Sequence, residues 1–233
     1  MAGQGAKGVA DIVFLIDATG SMSGCIEGLK NNLKTFIDEL TTPTANGGLP
    51  VKDWRAKVMG YRDYEEDGAA NWLEDNPFVT EVSQLKLQLS RLQATGGGDE
   101  PECLLDALYL AASMPQTEKG EFPEPDKWRY RSSAARIVII FSDASFKEKM
   151  FIPQSKGGTI DDVRNVCMAN RIVLSIFAPD LPCYNTLSEF DKAEYNPAEG
   201  IGLDELTSNQ EVFQDTLRQL AASVSASASP EVL

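Results

Sequence analysis

The chain has 233 residues, of which 42% are apolar, so it can bury a full hydrophobic core in one domain. Its net charge of −14, from 35 acidic and 21 basic residues, argues against nucleic-acid binding and favours cations or basic partners, because phosphate backbones are held chiefly by Lys and Arg. The absence of histidine excludes Ser-His-Asp catalysis, Cys-His catalysis and His-ligated zinc.

The first predicted strand ends in a row of oxygen-bearing side chains. Residues 12–16 are continuously apolar, which is typical of a strand buried on both faces. Asp17, Thr19 and Ser21 follow at alternate positions, with Gly20 allowing a tight turn between them. Hard oxygen donors at a strand end suit Mg²⁺ or Ca²⁺. The alternative is that these residues only cap the next helix.

The next part of the chain alternates between helix and strand patterns. Apolar residues recur at helical spacing over 26–40 and again over 82–92. A strand is predicted over 52–61, and Asp63 follows its end within a run of charged residues. A short edge strand is predicted at 78–79. We expect Asp63, alone of this charged run, to lie at the sheet edge.

Three consecutive glycines precede the next helix, in the segment TGGGDEPE at 95–102. Glycine weakens both helix and strand, so a run of three indicates that the backbone approaches another group closely. Asp99 and Glu102 are spaced as a helix capping pair, and a purely structural role is an alternative to metal binding.

The remaining strands repeat the design of the first. Residues 137–141 are continuously apolar and are followed by Ser142 and Asp143, and another buried strand is predicted over 172–177. A final amphipathic helix precedes the low-complexity segment 223–233, which is predicted to be a disordered tail or a linker. The predicted domain therefore covers 9–222, after a flexible N-terminus at 1–8.

This order of elements predicts an α/β fold, a doubly wound and mostly parallel central sheet with helices on both faces. Ligands of such sheets gather at the carboxyl ends of the strands, near the point where the strand order reverses. The first strand end, the glycine loop and the Asp143 segment are therefore expected to converge. Their side chains form an all-oxygen set that favours Mg²⁺, Mn²⁺ or Ca²⁺ over zinc: Asp17, Thr19, Ser21, Glu102 or Asp99, and Asp143.

The segment DATGSM at 17–22 resembles the D-x-[ST]-x-S signature of the von Willebrand factor type A domain. FSDA around Asp143 is similar to that family's later aspartate, and D-x-P-E at 99–102 resembles the loop of the integrin β-subunit version. Bacterial and protist members with DxTGSM and GGGDxPE motifs look closer still. The resemblance extends over residues 9–222.

The resemblance implies a metal-ion-dependent adhesion site formed by Asp17, Thr19, Ser21 and Asp143. The usual loop threonine is absent, so the fourth ligand is Glu102, which we favour, or Asp99. A second Ca²⁺ site of the integrin β kind would draw on Asp63, Asp99 and Glu102, although Gly97 replaces its usual asparagine.

The implied function is a non-enzymatic interaction module, in which a divalent cation accepts an Asp or Glu of a partner protein. One alternative is a Mg²⁺-dependent phosphohydrolase with Asp17 as nucleophile, but Thr19 stands where such enzymes want a second acid. They also need a nearby lysine, and the sequence does not indicate that Lys147, Lys149 or Lys156 lies there. The other alternative is a structural subunit stabilised by metal.

No signal peptide is recognisable in the sequence, and no segment has the roughly 20 apolar residues that cross a bilayer. We therefore expect a cytoplasmic protein without a membrane span, or a secreted one if a leader has been removed.

Overall fold

A computed structural model describes residues 8–42, 51–98, 100–197 and 210–228. Within these ranges six strands form one sheet: β1 Val9–Asp17, β2 Asp53–Tyr61, β3 Leu73–Asp75, β4 Ala135–Phe141, β5 Ile172–Ala178 and β6 Ala193–Pro197. The helices in the same ranges are α1 Ser23–Thr41, α2 Tyr64–Asp67, α3 Val82–Arg91, α4 Leu104–Ser113, α5 Ile160–Asn170, α6 Pro182–Ser188 and α7 Gln210–Ala228.

The strands lie in the spatial order β3-β2-β1-β4-β5-β6, and every neighbouring pair is parallel except β2 with β3. Along the chain, β2 and β3 are therefore added on one side of β1, and β4, β5 and β6 are then added on the other side. This reversal leaves a crevice outside the carboxyl ends of β1 and β4, where doubly wound folds bind their ligands. The predicted α/β architecture is confirmed.

Helices cover both faces of the sheet, which explains the continuous apolar run of β1. Ile12, Phe14 and Ile16 pack into a core shared with α1, α3 and α7. Val13 and Leu15 point the other way, into a core shared with α4, α5 and α6. All five side chains are at most 1% exposed, which explains why this part of the strand is apolar on both faces.

The edges of the sheet differ from the sequence prediction. The edge strand predicted at 78–79 is a single antiparallel bridge between Val79 and Ala56, and the strand that pairs with β2 is Leu73–Asp75. The other edge strand, Ala193–Pro197, was not predicted. Both edge strands are short and lack an apolar run, so they form only because a neighbouring strand offers them hydrogen bonds.

The end of the chain also differs from the prediction. Helix α7 continues through Ala228, so residues 223–228 are helical, whereas the sequence predicted a disordered tail or a linker over 223–233. Val224 is 1% exposed and belongs to the core that contains Phe36 and Leu33 of α1. This burial extends the helix beyond the predicted domain end at 222. Residues 1–7 and 229–233 lie outside the described ranges.

No helix in the described part of the chain is both long enough and apolar enough to span a membrane.

The packing of α7 gives a test. We expect Val224→Asp to lower the free energy of unfolding by more than about 2 kcal/mol, because it places a carboxylate in a dry core. Ala222→Asp, at an exposed position of the same helix, should change it by less than about 0.5 kcal/mol. Urea unfolding monitored by circular dichroism measures both, and equal effects would contradict this packing.

Candidate functional site

Asp17 is the last residue of β1, and its side chain is completely buried. Its Oδ1 accepts hydrogen bonds from Thr19 N at 3.0 Å and from Thr19 Oγ1 at 2.7 Å. Its Oδ2 accepts one from Ser142 Oγ at 3.1 Å, across the gap between β1 and β4. Both carboxylate oxygens are therefore engaged, and the carboxylate fixes the orientation of the two hydroxyl groups.

The hydroxyls continue from Asp17 toward the surface. Thr19 is 4% exposed, its Oγ1 lies 3.3 Å from Ser21 Oγ, and Ser21 is exposed. The three residues predicted from the sequence thus form one hydrogen-bonded row that leads from the core to solvent. Such a row can present neutral oxygen ligands to a cation while the acid beneath supplies charge.

The glycine loop packs directly against this row. A Cβ atom at Gly97, which has φ +96°, would lie 2.6 Å from Thr19 Cγ2 and 3.0 Å from Glu102 Oε1. At Gly96, with φ +75°, it would lie 1.9 Å from Asp67 Oδ1. Any other residue would therefore push the loop away, and the predicted close approach is confirmed. Thr19 and Glu102 therefore both lie beside Gly97, around the position that a Cβ atom would take.

Glu102 has a carboxylate oxygen without a partner. The residue is 4% exposed, and its Oε2 is buried with no hydrogen bond from the described residues. Its backbone is held to the segment after β4, because Glu102 N donates to Ser145 O at 2.9 Å and Lys147 N donates to Glu102 O at 2.9 Å. A buried carboxylate oxygen without a donor is costly unless a cation or a proton meets it.

The acidic side chains at this edge interact electrostatically. Burial raises the pKa of Asp17 to about 6, although the hydrogen bonds from Thr19 lower it. The charge of Asp143 raises this pKa further. Burial also raises the pKa of Glu102 to about 8, and the charges of Asp17, Asp63 and Asp67 add to it. Asp17, Glu102 and Asp143, predicted to converge, are therefore brought together, and their crowding favours a bound cation.

Asp63 also lies at this edge, but with a different partner. It is 1% exposed, and Lys147 Nζ lies 2.7 Å from its Oδ2 and 2.9 Å from its Oδ1. Burial disfavours the ammonium charge, but the hydrogen bonds to Asp63 and Glu65 outweigh burial and raise the pKa of Lys147. A second Ca²⁺ site using Asp63 is therefore not supported. Asp99, its other predicted ligand, lies outside the described residues.

Two residues of the site were missed in the sequence. Lys147 was not expected near the acids, yet the bridge between Glu102 and Phe146 brings it there. Ser142, which donates a hydrogen bond to Asp17, carried a usable signal. It is a hydroxyl residue directly after a buried strand, and Thr19 and Ser21 likewise follow shortly after β1. No local pattern marks Lys147, since its position depends on contacts between distant segments.

Within residues 8–42, 51–98, 100–197 and 210–228, no group of three or more His, Cys, Asp and Glu side chains could hold a metal ion by itself. The hydroxyls of Thr19 and Ser21 are further oxygen donors at this edge, beside the carboxylates. The oxygen chemistry of the row and the unpartnered Glu102 Oε2 fit a hard divalent cation better than a soft one.

Solved structures of similar fold exist. Proximal thread matrix protein 1 (PTMP1) from the mussel byssus, with a zinc-occupied MIDAS motif, superposes with a TM-score of 0.54 and 15% identity over 92% of this chain. Another crystal form of PTMP1 gives a TM-score of 0.52 and 13% identity over the same share. The chain spans 46% of the length of PTMP1 in both comparisons. At this identity the likeness shows a von Willebrand factor type A-like fold.

In sequence, the chain is 28% identical over 134 residues to "Alpha-protein kinase vwkA" from Dictyostelium discoideum. The match covers 58% of this chain and 18% of the kinase, so the chain spans less than a fifth of that protein. No known protein-family profile matches the chain.

The buried acids predict a stability that depends on pH and on cations. The pKa of Asp17 lies above its ordinary value of 3.8, and that of Glu102 lies above its ordinary value of 4.5. Ionising either residue therefore costs more free energy in the folded than in the unfolded state. Without a cation, the contribution of these two carboxyl groups to stability is fully present below their ordinary pKa values. It is lost as the pH rises through about 6 for Asp17 and about 8 for Glu102. In EDTA, we expect the melting temperature to fall by at least about 4 °C from pH 5 to pH 8.5.

Saturating Mg²⁺ should remove most of that fall, because the cation offsets the buried charge. Glu102→Gln should reduce the fall in melting temperature measured in EDTA, and it should also reduce the stabilisation by Mg²⁺. Scanning calorimetry at several pH values measures these effects. A fall of the same size with and without Mg²⁺ would contradict the assignment.

Proposed function

We propose that the protein is a metal-dependent interaction module that binds a carboxylate of a partner protein through a divalent cation. The observation that carries this proposal is the buried Oε2 of Glu102, which accepts no hydrogen bond from the described residues. Glu102 lies with Thr19 beside Gly97, next to the hydroxyl row that Asp17 orients.

The residues of the proposed site have two roles: some bind the cation directly, and others orient these ligands or add negative charge. Thr19 and Ser21 would hold the cation through hydroxyl oxygens, and Glu102 would add a carboxylate oxygen. Asp17 would act through its hydrogen bond to Thr19, and Asp143 would add negative charge close to Asp17. When bound, a divalent cation such as Mg²⁺ or Mn²⁺ supplies a positive centre that can accept an external carboxylate.

The arrangement favours an open site over a closed structural one. Ser21 is exposed, so the row of ligands ends at the protein surface, where an external carboxylate can reach it. The proposed direct ligands include only one carboxylate, so one of the two positive charges of the cation has no directly bound counter-charge. The zinc-occupied MIDAS motif named for PTMP1 supports a cation on this fold, without indicating which ion binds here.

The phosphohydrolase alternative is less consistent with the geometry. Asp17 would have to attack phosphorus, but it is completely buried and both of its oxygens accept hydrogen bonds. Lys147 does lie near the acids, which the sequence did not indicate, but its ammonium is held by Asp63 and Glu65. The kinase match covers too small a part of that protein to carry its activity over. We therefore favour a function without catalysis.

A matched pair of variants tests the cation ligands. Ser21→Ala removes one proposed ligand at an exposed position and should weaken Mn²⁺ binding at least about 10-fold without lowering stability in EDTA. Ser23→Ala, at an exposed position two residues later, should leave the affinity unchanged. Isothermal titration calorimetry measures both, and equal affinities in the two variants would argue against the proposed ligand set.

Partner binding should depend on the same residues. Asp17→Ala should abolish capture of a native partner in an affinity purification performed with Mg²⁺, and EDTA should abolish capture by the wild-type protein. Ser23→Ala serves as the control that retains capture. Capture that survives both Asp17→Ala and EDTA would show that the partner binds elsewhere.

A further inference from the structure

A lysine side chain lies between acidic side chains next to the candidate site. Lys147 Nζ is 2.7 Å from Asp63 Oδ2 and 3.0 Å from Glu65 Oε2, and its positive charge also acts on Glu102. The backbone of the same residue donates to Glu102 O at 2.9 Å. The ring of Phe151 lies beneath the ammonium group, with 4.7 Å between Nζ and the ring centroid. The segment after β4 thus holds a positive charge in a fixed position.

Asp63 depends on this charge. Its side chain is only 2% exposed, and its Oδ1 already accepts a hydrogen bond from Glu65 N at 2.7 Å, as the N-cap of α2. Asp63 also acts electrostatically on Glu102, so a bare carboxylate here would repel the site. Removing one partner of a buried ion pair is strongly destabilising, because it leaves an uncompensated charge.

We propose that Lys147 is a built-in cation that takes the place of a second metal ion beside the candidate site. Ca²⁺ is held by carboxylate, backbone and water oxygens, and Asp63 and Glu65 would contribute two carboxylates to such a set. The ammonium group neutralises these same oxygens from within the chain. The inference rests on the proposed function only for the existence of the neighbouring exchangeable cation.

This arrangement has a consequence for how the protein responds to cations. A side-chain ammonium cannot be removed by a chelator, so α2 and the loop it supports keep their counter-charge when divalent ions are depleted. Asp67, the last residue of α2, accepts a hydrogen bond from Gly97 N at 3.1 Å and so connects α2 to the glycine loop. The exchangeable site is therefore held in position independently of Ca²⁺.

The experiment replaces the ammonium while keeping an apolar stem of similar length. Lys147→Met is compared with Lys149→Met, whose side chain is exposed on the same segment. Each protein is saturated with Mg²⁺ and then titrated with Ca²⁺ in a calorimeter. We expect Lys147→Met to bind one additional Ca²⁺ with a Kd of about 10⁻⁴ to 10⁻³ M, and the wild type and Lys149→Met to bind none in this range.

Thermal stability gives a second measurement on the same proteins. Lys147→Met should melt at a lower temperature than the wild type in EDTA, and Ca²⁺ should recover most of the difference. The double variant Asp63→Asn with Lys147→Met has no buried charge to compensate, so it should fold in EDTA and bind no additional Ca²⁺. This second variant covers the case in which Lys147→Met alone folds poorly without Ca²⁺.

The proposal is overturned if Lys147→Met binds no additional Ca²⁺, or if Ca²⁺ binding persists after Asp63→Asn. It is also overturned if the wild type already binds the additional Ca²⁺. Insolubility of Lys147→Met at every Ca²⁺ concentration, with a soluble double variant, would show that Ca²⁺ cannot replace the ammonium. A wild type that binds no Mg²⁺ would refute the proposed function, and the comparison between Lys147→Met and Lys149→Met would still be valid.

Discussion

Negative charge buried at the carboxyl edge of the sheet is the constraint on which the rest of the structure depends. Asp17, Asp63 and Glu102 are each at most 4% exposed, and carboxylates in such positions are stable only with donors or positive charges beside them. Asp17 has the hydroxyls of Thr19 and Ser142, and Asp63 has Lys147. Among the described residues, no donor meets Oε2 of Glu102, and a divalent cation would compensate the negative charge of this carboxylate.

The fold explains why these charges meet. The strand order reverses at β1 and β4, so their exits adjoin and Ser142 reaches Asp17 although the two are 125 residues apart in the chain. The glycine loop adds Glu102 by passing close to Thr19, a path that only glycine permits at Gly97. The glycines lower the local stability of the loop but allow its backbone to approach Thr19. Such a loss of local stability is typical of functional sites.

Sequence reasoning was sufficient where local pattern and buried position agree. The apolar runs of β1 and β4 predicted the central strands, and Asp17, Thr19 and Asp143, which follow them, converge at one edge of the sheet as expected. It was insufficient where the outcome depends on contacts between distant segments. The edge strands lack a pattern of their own, and the last turns of α7 are helical although their Ser-Ala sequence suggests disorder, because Val224 is buried against α1. The position of Lys147 depends on the bridge between Glu102 and Phe146.

The central claim is that Thr19, Ser21 and Glu102 share one divalent cation that retains a position for an external carboxylate. The most direct measurement is a crystal structure of the protein grown with Mn²⁺, with anomalous scattering used to locate the ion. We predict an anomalous peak bonded to both hydroxyl oxygens and to Glu102, with at least one position occupied by water or by a carboxylate of a neighbouring molecule. A peak elsewhere, no peak, or an ion enclosed entirely by protein ligands would contradict the claim.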